Sequence, residues 1–269
     1  MNAETKTTLA RFLDLAADYT RSGCRTIQPR SFTGDEADAK IPAGRAADDQ
    51  AGPPKADSLS ALAADAASCA RCNLCKGRKN AVPGEGVDRP LVLVVGEAPG
   101  GDEDACGRPF VGRAGQQLDR MLDARGKIAL SRKTNCFIAN VVKCRPPENR
   151  NPAPEEARAC APFLARQIKL LRPPLILAAG SVAARALLDT ADGVTKLRGR
   201  FFDVDFSRSP LYGPFMEGEE VKITVLSTYH PSALLRDPSL KIQSWEDMKL
   251  LRARLCELDS RYASLLAPL

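Results

Sequence analysis

The chain has 269 residues, of which 27% are charged, and its formal net charge is +6. No run approaches the ~18 consecutive apolar residues that a membrane span requires, and the first thirty residues lack a basic segment followed by a long apolar stretch. The nine cysteines are an odd number, which argues against a framework of disulfides. We therefore expect a cytoplasmic protein without a membrane segment, and the positive charge mildly favours an anionic partner.

The N-terminal part of the chain differs in composition from the rest. Residues 5–20 carry apolar side chains at helical spacing, which predicts a short amphipathic helix. Residues 22–58 are rich in Ala, Gly, Pro and charged residues without apolar periodicity, so we expect a flexible linker there. The sequence thus predicts an N-terminal extension over residues 1–58 and a globular domain over residues 59–269.

Four of the cysteines form two widely separated pairs. Cys69 and Cys72 are a C-x2-C pair at the head of the globular region, and Cys144 and Cys160 follow about seventy residues later in a stretch that begins with a basic, proline-rich segment. Four thiolates are the usual ligands of a [4Fe-4S] cluster, and the nearby arginines favour a nucleic-acid partner. Zinc accepts the same ligands, so a zinc-bound, noncatalytic nucleic-acid module stays open. Cys75 could compete as a ligand.

Four apolar runs alternate with helical patterns downstream of the linker. They span residues 91–95, 137–142, 175–179 and 223–227. Continuous apolar runs separated by helices are typical of parallel strands that are buried on both faces. The pattern predicts a three-layer α/β/α sandwich around a central, mostly parallel four-stranded sheet. Residues 203–220 contain several Pro and Gly residues and look like an inserted hairpin or loop before the last strand.

The residues that follow these runs are consistent with one ligand site, because parallel sheets bind ligands beyond the carboxyl ends of their strands. Glu97 follows the first run, Asn140 lies near the end of the second, and His230, the only histidine, follows the fourth. A carboxylate can activate water, an amide can read a base edge, and an imidazole can stabilise a developing anion. The simpler alternatives are a turn-forming asparagine and a structural histidine.

A glycine-rich loop follows the first run and contains Phe110. Its glycines permit close approach of the backbone to a ligand, and the free amides of the helix predicted just beyond Gly112 suit an anion. Phe110 is either a core anchor or an aromatic platform for a flat ligand. The neighbourhood of Asn140 and His230 favours the platform.

Five blocks of sequence carry a resemblance to a known family. They are Val-Pro-Gly-Glu-Gly (82–86), Gly-Glu-Ala-Pro-Gly (96–100), Gly-Arg-Pro-Phe-Val-Gly-Arg-Ala-Gly (107–115), Asn-Val-Val-Lys-Cys-Arg-Pro-Pro (140–147) and His-Pro-Ser-Ala-Leu-Leu-Arg (230–236). With these blocks in the family's order and the four cysteines at matching places, the chain resembles the family 4, iron-sulfur uracil-DNA glycosylases. The resemblance covers about residues 59–256 and says nothing about the N-terminal extension.

The resemblance implies an enzyme that flips deoxyuridine out of single- or double-stranded DNA and hydrolyses its N-glycosidic bond, initiating base excision repair. Glu97 would place water and His230 would stabilise the uracil anion. Glu103 would limit the room at C5 and so exclude thymine. The other implied base contacts are Gly96, Ala98, Phe110 and Asn140, and the implied ligands of a [4Fe-4S] cluster are Cys69, Cys72, Cys144 and Cys160.

Further DNA contacts are suggested by chemistry. Leu234 and Leu235 suit a wedge that fills the vacated base stack, or alternatively form a buried pair at a helix start. Five basic or polar side chains suit contacts with phosphates: Lys196, Arg198, Arg145, Ser232 and Arg236. For Lys196 and Arg198 the alternative is a solvated turn.

Other functions stay open beside this interpretation. One alternative is a superfamily glycosylase with broader specificity for deaminated bases, and another is a small-nucleotide hydrolase or redox protein that uses the same crevice. We expect a monomer. The N-terminal extension is a candidate docking segment for a repair or replication protein.

Overall fold

In the computed structural model the described residues are 57–268, and a six-stranded sheet runs through them. The predicted helix over residues 5–20 and the linker over residues 22–58, except its last two residues, lie outside this range. The strands are β1 (Glu85–Gly86), β2 (Val92–Gly96), β3 (Cys136–Asn140), β4 (Leu175–Ala179), β5 (Phe201–Asp205) and β6 (Lys222–Thr228). Their order across the sheet is β1-β3-β2-β4-β6-β5.

The four central strands are parallel and correspond to the four predicted apolar runs. Every residue of β2, β3 and β4 is buried. Such strands need helices on both faces, because an exposed face would leave their branched apolar side chains in water at a cost of about 1.5–3 kcal/mol each.

Helices cover both faces of the sheet. They are α1 (Leu59–Ser68), α2 (Gly101–Cys106), α3 (Arg113–Asp123), α4 (Pro154–Leu171), α5 (Ser181–Leu188), α6 (Val194–Leu197), α7 (Pro231–Arg236), α8 (Leu240–Leu258) and α9 (Ser260–Ala263). Within the described range, none of these helices is long and apolar enough to cross a membrane.

Two apolar cores lie on opposite faces of the sheet, because successive side chains of a strand alternate in direction. Leu93 and Val95 belong to one core, which contains the buried apolar residues of α1, α4 and α5. Val92 and Val94 belong to the other, which contains those of α3 and α8. The predicted three-layer α/β/α sandwich is confirmed.

The sheet is wider than the predicted four strands. β1 and β5 pair antiparallel with β3 and β6 at the two edges. β5 occupies the start of the predicted insertion and forms a hairpin with β6, and single helical turns at Phe206–Arg208 and Gly213–Phe215 lie in the connection. These edge strands lack a continuous apolar run, because β1 has only two residues and β5 is only partly buried.

Candidate functional site

A crevice of about 520 Å³ lies beyond the carboxyl ends of the parallel strands. Gly96 and Asn140 are register partners at the ends of β2 and β3, and the Gly180 amide donates to the Thr228 carbonyl where β4 and β6 end. The crevice thus opens where four neighbouring strands stop. The predicted site residues that line it are Glu97, Ala98, Glu103, Phe110, Asn140, His230, Ser232 and Arg236.

Asn140 presents a buried acceptor that lacks a partner. Asn140 is 1% exposed, and its Oδ1 has no hydrogen-bond partner among the described residues. A Cβ on Gly96 would lie 2.4 Å from this oxygen and 2.5 Å from Cζ of Phe110, so only glycine at position 96 leaves the amide and the ring in place. Buried polar atoms are rarely left unpaired, and because Asn140 lines the crevice, this oxygen can accept a hydrogen bond from a ligand there.

Phe110 adopts a backbone conformation that is uncommon for a residue with a side chain. Its φ is +52°, in the left-handed region, and the residue is 6% exposed. The ring lies 5.7 Å from the His230 ring, centroid to centroid, with an angle of 34° between the planes. Strained backbone at a crevice is a feature of functional sites. The ring and the imidazole can therefore contact the same flat ligand.

His230 is held in one tautomer by the helix that it caps. The backbone N–H of Ser232 donates to its Nδ1 at 3.2 Å, so Nδ1 is an acceptor and the proton of the neutral ring resides on Nε2. The Ser232 hydroxyl lies 2.7 Å from the same nitrogen, and Arg236 donates to that hydroxyl at 3.3 Å. Burial, and secondarily the charge of Arg236, lowers the pKa of His230 to about 4, although Glu103 opposes the shift. The ring is therefore neutral near pH 7.

Glu97 follows β2 and is half-buried in the crevice. Within the described part of the chain, the structure gives its carboxylate no hydrogen-bond donor or cation. Burial raises the pKa of Glu97 to about 7. A carboxyl group with this pKa can accept a proton from water near neutral pH.

Glu103 binds the backbone of the loop that carries Phe110. One carboxylate oxygen accepts from the Gly100 amide at 3.0 Å, and the other accepts from the Val111 and Gly112 amides at 2.9 and 3.0 Å. These contacts tie the start of α2 to the turn before α3. The contact of Glu103 with C5 of the base stays a prediction.

The four predicted ligand cysteines, together with Cys75, line a second, small cavity. Arg78 Nη1 donates to Cys144 Sγ at 3.1 Å, and the Lys143 amide donates to Cys160 Sγ at 3.2 Å. In residues 57–268, however, no three Cys, His, Asp or Glu side chains form a group that could hold a metal ion. The thiols thus share a cavity without the geometry of a single-ion site.

Comparison with known proteins matches residues 83–251 to the model of the uracil DNA glycosylase superfamily. A type-4 uracil-DNA glycosylase of Pyrobaculum aerophilum is 44% identical over 68% of this chain and 87% of its own length, and one of Saccharolobus solfataricus is 39% identical over 74% and 87%. One of Thermotoga maritima is 40% identical over 65% and 82%. The chain belongs to the type-4 uracil-DNA glycosylase family.

The predicted DNA contacts after His230 differ in their exposure. Ser232 and Arg236 line the crevice, whereas Leu234 is 1% exposed and packs in the core with residues of α3 and α8. Leu234 could enter a base stack only by leaving that core, so its burial favours the alternative of a leucine buried at the start of a helix. Leu235, which is 36% exposed, is the leucine available for that role.

Arg198 is also placed differently from the prediction of a phosphate contact. Its guanidinium donates to both carboxylate oxygens of buried Asp247, at 2.8 and 3.0 Å, and lies 5.6 Å from the ring of Tyr229. Asp247 also accepts from Thr228 at 2.8 Å, at the end of β6. Through Asp247, Arg198 therefore stabilises the end of the strand that precedes His230. The guanidinium N–H groups that form these bonds are directed at the protein and not at solvent.

The remaining predicted contacts lie near the surface. Lys196 is 75% exposed and forms an ion pair with Asp192 at 3.2 Å, which is weak because water screens it. Arg145 donates to Asn149 at 2.8 Å beside the rim of the crevice. Both side chains remain candidates for phosphate contact.

The sequence did not reveal two further features of the glycosylase site. Ser232 contacts His230, a role that its position two residues later, at the start of α7, could have indicated. Gly180 has φ +94°, and a Cβ there would lie 2.8 Å from the Cβ of His230. This glycine allows the His230 segment to approach the end of β4, and no sequence motif marks it.

Proposed function

We propose that this protein excises uracil from DNA by hydrolysing the bond between N1 of the base and C1′ of the sugar. The observation that carries the proposal is the buried, unpaired Oδ1 of Asn140 in a crevice that Phe110 and His230 also line. The family's relatives carry the same activity in their names.

Recognition of the base follows from the donors and acceptors of Asn140. Its Oδ1 accepts the N3–H of uracil, and its amide nitrogen donates to O4. Cytosine has an acceptor at N3 and a donor at C4, so the same amide would face it with both polarities reversed. Mismatched polar groups in a buried pocket cost several kcal/mol, which supports discrimination of about 100-fold or more. Phe110 stacks on the flipped ring.

The chemistry requires stabilisation of two opposite charges, because the sugar becomes cationic and the base anionic as the bond breaks. The neutral ring of His230 offers an Nε2–H that can donate to O2 of the departing base. Glu97 in its ionised form accepts a proton from the water that attacks C1′. The products are an abasic site and uracil, which takes up a proton after departure. No lysine Schiff base is involved.

We also propose that Cys69, Cys72, Cys144 and Cys160 hold a [4Fe-4S] cluster. These four thiols share one cavity, where Arg78 and the Lys143 amide donate to two of the sulfurs, and four cysteine thiolates are the usual ligands of such a cluster. When bound, the cluster supplies iron–sulfur bonds that cross-link the turn after α1, the loop after β3, and α4.

The assembly and location of the enzyme belong to the same proposal. We propose that the enzyme acts as a monomer. Free thiols and cluster ligands persist in a reducing compartment, which supports the cytoplasm. We propose that residues 1–58 are an extension that docks a repair or replication protein.

The test is excision of uracil by anaerobically purified protein. Single- and double-stranded oligonucleotides with one deoxyuridine are incubated with excess enzyme, and abasic sites are cleaved with alkali. We expect cleavage at the uracil position by the wild type, and losses of at least about 100-fold in Glu97→Ala and His230→Ala. Full activity in both variants would remove the assigned roles, and an inactive iron-loaded wild type would remove the proposed function.

A further inference from the structure

The Phe110 ring depends on a backbone that is held from outside the crevice. Its left-handed φ of +52° places its carbonyl against α3, where a Cβ on Gly115 would lie only 1.9 Å from that oxygen. A non-glycine residue keeps this conformation only where its surroundings fix it. The contacts that fix these peptide groups therefore decide where the ring lies.

Arg132, in the loop before β3, makes two of those contacts. Its Nη1 donates to the Pro109 carbonyl at 2.7 Å, and its Nη2 donates to the Phe110 carbonyl at 3.1 Å. The two carbonyls are consecutive, so the planar guanidinium binds the peptide units on both sides of the strained residue. Because its side chain is 10% exposed, solvent competes little with these bonds.

Acidic side chains fix the arginine in turn. Asp119 of α3 accepts from Nη2 at 2.9 Å, and Glu85 lies 3.6 Å from Nη1. On the other side of the loop, Glu103 accepts from the amides of Val111 and Gly112. The peptide groups around Phe110 are thus held through their carbonyls by a cation and through their amides by a carboxylate.

We propose that Arg132 is a positioning residue for uracil, which holds Phe110 in the orientation that stacks on the flipped base. This inference rests on the proposed function. Arg132 does not line the crevice; it borders a groove behind the ring, so it acts through the loop and not by touching the base.

The test compares Arg132→Gln and Arg132→Lys with the matched control Arg108→Gln. Arg108 pairs with the same Glu85 at 2.8 Å, but its side chain is 60% exposed and its guanidinium donates to Glu85 and not to the Phe110 carbonyl. We expect Arg132→Gln to lower kcat/KM for uracil excision by about 10- to 100-fold, mainly through KM. Arg132→Lys keeps the charge but loses the paired guanidinium donors, so its kcat/KM should lie between those of the wild type and Arg132→Gln. The kcat/KM of Arg108→Gln should stay within about twofold of the wild type.

A double-mutant cycle separates positioning from general stability. In a Phe110→Ala background, Arg132→Lys should cost less than about threefold, because the ring that it positions is gone. Two results would overturn the inference: wild-type activity in Arg132→Lys, or a loss of activity on Arg132→Lys that is as large in the Phe110→Ala background as in the wild type. If thermal melting shows that Arg132→Gln is not folded, the comparison rests on Arg132→Lys. An inactive wild type instead refutes the proposed function, and the inference with it.

Discussion

The raised pKa of Glu97 predicts how excision depends on pH. The proposed base must be ionised, and burial raises its pKa to about 7. The ionised fraction then rises from about one tenth at pH 6 to about nine tenths at pH 8, so the rate should increase about tenfold over this range. A carboxyl group at its ordinary pKa would be ionised throughout and would give a flat profile. His230, with a pKa of about 4, should add no inflection above pH 5.

The assay is single-turnover excision from single-stranded DNA at saturating enzyme and constant ionic strength, quenched with acid so that pH affects only the reaction step. Glu97→Gln keeps the shape of the side chain but cannot titrate, so its residual rate should be low and independent of pH. A wild-type rate that is flat between pH 6 and 8, or a Glu97→Gln rate with the wild-type slope, would refute the role of Glu97 as the base.

Three further substitutions test separate parts of the site. Gly96→Ala should reduce excision by at least about 100-fold without lowering the melting temperature by more than a few degrees, because the new methyl group meets side-chain atoms of the pocket. Ser232→Ala should lower kcat about fivefold, the effect of one hydrogen bond, whereas a rise in KM with altered salt dependence would show that the hydroxyl contacts phosphate instead. Cys144→Ser should lower bound iron and sulfide in the purified protein, while the exposed Cys106→Ser should retain the wild-type content; equal iron in both would exclude Cys144 as a ligand.

The parts of the fold that could be predicted are those where buried residues are contiguous in the sequence. Three of the parallel strands, β2, β3 and β4, are buried on both faces and therefore appear as nearly continuous apolar runs. The edge strands were not predicted, because β1 has only two residues and β5 mixes Phe and Val with Asp. An edge strand is defined by its partner, and the partner is not visible locally.

The candidate site could be predicted where topology alone determines position. Glu97 and His230 follow strands and Asn140 ends one, and parallel strands bring their carboxyl ends together, so the structure places all three around one crevice. Arg198 could not be assigned in this way. Its partner Asp247 is 49 residues away in sequence, and an arginine in a basic loop looks the same whether it faces solvent or a buried carboxylate.

The role of Arg132 could not be predicted from the sequence either. It stands in an ordinary polar loop, and its importance lies in two backbone carbonyls more than twenty residues earlier. Side-chain bonds to backbone leave no pattern in residue types, because every residue has a carbonyl. Residues that hold a loop in an unusual conformation therefore become visible only in three dimensions.

The most direct test of the central claim is the specificity of Asn140 for the base edge. Excision of uracil and of cytosine from matched oligonucleotides is measured under single-turnover conditions for the wild type, Asn140→Ala and Asn140→Asp. We predict that the wild type removes uracil only, and that both variants lose at least about 100-fold of that rate because the base edge is no longer matched. Uracil excision at the wild-type rate by Asn140→Asp would contradict the account.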